Sequence, residues 1–205
     1  MHRIAIALIS IAAGSASADI AQVDEFSSLQ FEGFNNLKMR TFDRNPVAVF
    51  DGMGEVLNSG GSWLHSTGAW GLYSGGWKGR TKAFEGKKML GNTRGAIEYR
   101  FKGEQKSFGG MFATIANTPD ATIKFFNGDQ LVGIDVLRAA VGGDWLWNGW
   151  SSDEGFDRVS IQSNYGSRGG FLMHDAVRIS GTQVPTPGTL AILATGFVIG
   201  TRRRR

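Results

Sequence analysis

Apolar and polar residues alternate in short stretches through the middle of the chain and run unbroken only at its two ends. Ile97-Glu98-Tyr99-Arg100-Phe101 puts Ile97, Tyr99 and Phe101 on one face, the period-two pattern of a strand with one buried side. Residues 121–126 and 130–137 read as the arms of a β-hairpin, because Asn127-Gly128 supplies the positive φ that a tight turn between twisted strands requires. Further strands are predicted at Leu29 to Phe34, Val47 to Phe50, Phe108 to Ile115, Phe156 to Ser163 and Phe171 to Ile179. No long stripe of helical period appears between them, and 30 glycines punctuate the segments. The pattern predicts an all-β fold, an antiparallel β-sandwich of jelly-roll type.

The two ends break this pattern. Met1 to Ala18 carries a basic flank at Arg3, an apolar run from Ile4 to Ala13, and small residues ending in Ala16-Ser17-Ala18. That order is the signature of a secretory signal helix cut after Ala18, with Ala16 and Ala18 as the small residues of the cleavage site. At the other end Val184-Pro185-Thr186-Pro187-Gly188 stops any strand. The uncharged run Thr189 to Thr201 follows, then Arg202, Arg203, Arg204 and Arg205. As a helix this run spans roughly 20 Å against a hydrocarbon core of about 30 Å, a short membrane anchor, and the arginines favour a cytoplasmic terminus. The chain thus divides into a signal segment 1–18, a β-sandwich domain 19–183 and a sorting anchor 184–205. About 165 residues are enough to bury one core.

Charge follows the same division. The formal net charge is +4, but five of the 22 basic residues lie in the end segments while all 18 acidic ones lie between Asp19 and Asp175. The body is therefore close to neutral, which argues against a nucleic-acid partner. There is no cysteine, so thiolate metal sites, disulfides and cysteine nucleophiles are excluded.

Pro-x-Pro, a short apolar segment and an arginine cluster on a chain with a signal peptide resemble the PEP-CTERM sorting signal. The resemblance covers Val184 to Arg205 and places Pro185, Thr186 and Pro187 on the sorting tripeptide, with threonine where that family has glutamate. It implies export through the translocon, processing by an exosortase-type membrane protease, and a location at the cell envelope, the cell surface or the extracellular matrix. The body is similar to the concanavalin-like jelly rolls of such proteins in Phe31-Glu32-Gly33-Phe34, Phe108-Gly109-Gly110-Met111-Phe112, Ile123-Lys124-Phe125-Phe126 and the strand from Phe171 to Ser180. That family's last strand often carries two adjacent aspartates where this chain has His174-Asp175.

Candidate chemistry concentrates in tryptophan. Trp63, Trp70, Tyr73 and Trp77 lie among glycines and polar residues, and Trp145, Trp147 and Trp150 surround Asn148-Gly149. Flat aromatic faces beside hydrogen-bonding groups suit sugar rings, so Trp63, Trp70, Tyr73, Trp77 and Trp147 are candidate contacts for extracellular polysaccharide if the two groups reach one rim. The alternative is that these rings plug the ends of the sandwich. No cofactor is expected; calcium is the one metal with candidate ligands, Asp135 and Asp175, and no Asp-x-Asp-x-Asp-Gly loop is present. A glycanase is disfavoured by the absence of a Glu-x-Asp-x-x-Glu strand, and a serine hydrolase by the absence of a nucleophile elbow. The expectation is a non-enzymatic surface protein that contacts glycan, with a purely structural protein making protein contacts as the competing class.

Overall fold

The computed structural model describes residues 20–28, 30–37, 41–42, 45–59, 64–71, 80–115, 120–141, 144–164 and 171–181. The expected signal helix with Ala16 and Ala18, the sorting segment with Pro185, Thr186, Pro187 and Arg202 to Arg205, and Trp63, Tyr73 and Trp77 lie outside the described residues. Among the described residues there is no α-helix, and no helix long and apolar enough to cross a membrane.

The described residues form fifteen strands: β1 (Ile20–Gln22), β2 (Gln30–Glu32), β3 (Thr41–Phe42), β4 (Val47–Val49), β5 (Gly54–Asn58), β6 (Leu64–Thr67), β7 (Ala69–Gly71), β8 (Arg80–Lys82), β9 (Met89–Asn92), β10 (Ile97–Thr114), β11 (Asp120–Asn127), β12 (Gln130–Arg138), β13 (Ala140–Val141), β14 (Leu146–Ser163) and β15 (Leu172–Gly181). All described pairings are antiparallel except β10 with β13.

The architecture turns on β10 and β14, each 18 residues long and paired to one another. Their register slips between Arg100 and Gln105 and again before Ser107, opposite Gly155, whose φ of 82° admits a bend that a side chain would strain. On one side of the bend, the first part of β10 joins β5, and the last part of β14 joins β11 and thence β12. On the other side, the end of β10 joins β15, and the start of β14 joins β1. One continuous sheet thereby folds over into two layers, here called the hairpin layer (β4, β5, β11, β12) and the strap layer (β1, β2, β3, β6, β9, β15).

The expected β-sandwich is thus present, and the expected hairpin is found as β11–β12. One expectation is corrected. Phe108 to Ile115 and Phe156 to Ser163 are not separate strands but parts of β10 and β14. Asp153, Glu154 and Asp157 lie along β14 at its bend.

Aromatic rings fill the space between the layers. Phe125 of the hairpin layer meets Trp150 of the strap-side half of β14 at 5.8 Å between centroids, and Tyr99 meets Phe108 at 5.4 Å across the bend of β10. Phe112, Phe125, Phe156, Tyr99, Phe108 and Trp150 are fully buried. Burying each such side chain contributes roughly 1.5–3 kcal/mol.

Candidate functional site

The three tryptophans around Asn148-Gly149 part company because a strand sends alternate residues to opposite faces. Trp150 points inward and donates its indole N–H to Asp135 Oδ2 at 2.7 Å. Trp147 points outward from the strap layer, over the cross-strand glycines Gly109 and Gly149. A Cβ on Gly109 would come within 2.7 Å of the Trp147 ring, so only glycine lets the indole lie against the sheet here. Trp145, just before β14, donates its N–H to the carbonyl of Lys82 in β8 at 2.9 Å.

A segment, residues 23–28, straps the outer face on which Trp147 lies, crossing from β1 at one edge to β2 beyond β15. Val23 N–H donates to Gly149 O at 2.9 Å, and Phe26 meets the Trp147 ring edge-on at 5.6 Å. Arg178 donates to Glu25 Oε1 at 2.6 Å and to Phe26 O at 3.0 Å, its guanidinium 5.3 Å from the Trp147 centroid. Ser28 Oγ donates to Ile179 O. The ring is therefore backed by backbone on one side and approached by strap and cation on the other; what remains open is a cleft of about 530 Å³ shared with Gln22, Asp24 and Asn148. Trp147, expected as a glycan contact, packs against the strap and also lines this cleft.

Trp145 leads elsewhere. β7 and β8 form a separate two-stranded ribbon that sets Trp70 opposite Thr81 and Ala69 opposite Lys82, and residues 72–79 connect the two strands. Because Trp145 is bonded to Lys82, one member of the second tryptophan group touches the base of this ribbon. Phe84, 48% exposed, follows that ribbon and meets Trp145 edge-to-face at 6.2 Å. Leu146 and Val141, at the two ends of the connection that holds Trp145, are also exposed. Trp145, Phe84 and the β7–β8 ribbon thus share one rim.

Asp175 fixes this rim from behind. Its Oδ2 accepts the N–H groups of Phe84 at 2.8 Å and Glu85 at 3.1 Å, and its Oδ1 accepts that of Ala176 at 2.8 Å. Ala176 has a φ of 49° and sits where β15 carries one extra residue opposite Gly110, a bulge that turns Asp175 toward the Phe84 turn. Burial raises the Asp175 carboxyl to about 6 against the pull of these three donors. Asp135 is engaged in the same way, by Gln22 Nε2, Trp150 Nε1 and Val136 N–H. Burial alone would raise its carboxyl, but the donors outweigh burial and hold it below the usual range. Protons therefore point at both oxygens of each expected calcium ligand, the reverse of what a cation needs. Among the described residues no group of three or more acidic or histidine side chains is placed to hold a metal.

His174, the neighbour of Asp175, faces the core. Its Nδ1 lies 3.2 Å from Tyr99 Oη, and burial lowers its pKa to about 3. The Tyr99 hydroxyl is raised well above its ordinary value by burial first, then by the charges of Glu32 and Asp175. His174 and Tyr99 are neutral and structural at ordinary pH; Glu32 is structural too, accepting the N–H groups of Phe34 and Phe50 at 2.7 and 2.9 Å. Phe34 and Phe50 have φ of 56° and 53°, conformations that bulky residues hold only when pinned. None of these pegs announces itself in the sequence, since each depends on a partner brought from a distant segment.

No family model matches the chain, and no curated protein matches it. Among solved structures it is similar to family 29 carbohydrate-binding modules. One described simply as such is 11% identical, with 80% of this chain and 90% of that chain covered and a TM-score of 0.34. A variant complexed with mannohexaose is 11% identical, over 80% and 93%, at 0.34. A variant complexed with cellulohexaose is 11% identical, over 81% and 94%, at 0.34. At that similarity nothing follows about this chain's ligand.

Proposed function

We propose that this chain is an exported, non-catalytic protein of the cell envelope whose jelly-roll β-sandwich contacts polysaccharide at the rim built from the β7–β8 ribbon, Phe84 and Trp145. The observation that supports the reading is the hydrogen bond from Trp145 to Lys82, which holds Trp145 and the exposed Phe84 against the β7–β8 ribbon. Half-exposed rings beside backbone carbonyls and exposed lysines offer what a pyranose needs, an apolar face to stack on and donors for its hydroxyls. The export half of the proposal rests on the signal pattern ending at Ala18 and on the resemblance of Val184 to Arg205 to a PEP-CTERM signal, with an exosortase-type protease, the translocon and the membrane as its partners.

Affinity electrophoresis through gels loaded with neutral polysaccharides tests the binding half: retardation is expected for the wild type and is lost in Phe84→Ala/Trp145→Ala. Mass spectrometry of the protein from its native envelope tests the other half. A mature start at Asp19 is expected, and an intact Met1 would overturn it. The competing reading, a structural surface protein making only protein contacts, is favoured by the commitment of Trp147 and Trp150 to packing.

A further inference from the structure

Among the described residues, no segment straps the outer face of the hairpin layer. On it lies a cleft of about 350 Å³ lined by Thr122, Lys124, Ser160, Gln162, Ser163 and Asn164. The register explains the grouping: Lys124 stands opposite Ser160 and Thr122 opposite Gln162 on adjacent strands, so their side chains share one face within roughly 5–8 Å. Every lining side chain can donate or accept a hydrogen bond, and none is a carboxylate.

Lys124 is the single charge in the cleft, and among the described residues it has no ion pair. The nearest acid across the sheet, Glu98, opposite Ser160, is already taken: Arg100 Nε lies 2.7 Å from it and Arg158 Nη1 4.0 Å. Arg158 also covers the ring of Phe126 at 4.2 Å, which closes that flank. On the other flank, the residues of β12 opposite Lys124 and Thr122 are Ile134 and Val136, 55% and 46% exposed. The cleft thus combines hydroxyl and amide groups, one uncompensated cation and an aliphatic shoulder.

From this we infer a second carbohydrate site on the outer face of the hairpin layer, one that binds an acidic sugar unit, a hexuronate, with its carboxylate on Lys124, its hydroxyls on Ser160 and Gln162, and its C–H face on Ile134 and Val136. The volume suits one to two rings. A bare polar face is ordinary for an antiparallel sheet; the lone lysine in a concave, carboxylate-free setting is not, because surface charges of both signs usually intermingle. The site shares with the rim only the premise that the ligand is a polysaccharide. It does not use the rim's residues.

The test is titration of tri-galacturonate and of its methyl ester into the full-length protein, followed by calorimetry and by amide shifts of Lys124, Ser160 and Gln162. Saturable binding of the acid that weakens with salt is expected, with at least tenfold weaker binding of the ester. Lys124→Glu, an exposed substitution that leaves the melting temperature unchanged, is expected to weaken the acid at least tenfold, and Gln162→Ala several-fold. Phe84→Ala/Trp145→Ala leaves uronate binding intact, so failure of the rim and failure of the cleft are read separately. Equal binding of acid and ester, indifference to Lys124→Glu, loss on changing the rim, or no binding at all would each overturn the assignment.

Discussion

The two outer faces of the sandwich are built from the same two long strands and yet treat their aromatic residues in opposite ways. On the strap layer, Trp147 lies over glycine and is overlaid by Phe26 and Arg178, so the ring is spent on holding a chain segment to the sheet. On the hairpin layer the corresponding face carries no strap among the described residues, with Ser160, Gln162 and Lys124 lining a cleft and Phe126 capped by Arg158. A tryptophan in a polar, glycine-rich stretch is therefore not in itself a binding platform. What decides is whether the protein's own chain already occupies the ring.

Acid is the strongest way to sharpen this contrast, because His174 and Asp175 both belong to the strap layer. His174 is depressed to about 3, so the stability its neutral form supports is present above pH 6.5 and is lost as pH falls, by ~4 kcal/mol near pH 3. Asp175 is raised to about 6, so it acts in the other direction: its contribution is full below the ordinary carboxylate range and is lost as pH rises through 6. Between pH 6.5 and 4 the two oppose, and below 4 only the histidine loss grows. Melting curves across pH are expected to fall steeply below 4 in the wild type, and from about 6 downward in Asp175→Asn. A His174→Gln protein with an unchanged acid limb would break the account.

Removing the ring of Trp147 comes next. Trp147→Ala should destabilise by about 3 kcal/mol in urea and expose the strap to proteolysis at residues 23–28. Gly109→Ala, which drives a methyl group into that ring, should cost about 2 kcal/mol. If neither moves the denaturation midpoint, the ring is not a clamp. On the bare face the smallest effects are expected: Ser160→Ala should stay within about 0.5 kcal/mol of wild type, and a larger loss would mean that this face packs against something after all.

How much of this could be read from residues alone varies from element to element. The β11–β12 hairpin was legible because Asn127-Gly128 marks its turn and both arms keep one register apart from a slip at Phe125/Phe126. The continuity of β10 was not, because Lys102 to Lys106 breaks the alternation where the strand crosses between layers and its inward side changes. Which tryptophan of the second group meets the β7–β8 ribbon was not legible. Period two separates Trp150 from Trp147 only once β14 is known to be a strand, and the bond from Trp145 to Lys82 spans 63 residues. Asp175 drew notice as a metal ligand, whereas the bulge at Ala176 makes it a peg for Phe84; a non-glycine residue with positive φ leaves no mark in sequence.

The rim claim is tested most directly by binding of a neutral polysaccharide to three proteins at matched folding: wild type, Phe84→Ala/Trp145→Ala, and Trp147→Ala. The account predicts at least a tenfold loss for the rim variant and near wild-type affinity for Trp147→Ala. Undiminished binding by the rim variant, or a loss confined to Trp147→Ala, would contradict it and move the site to the strapped face.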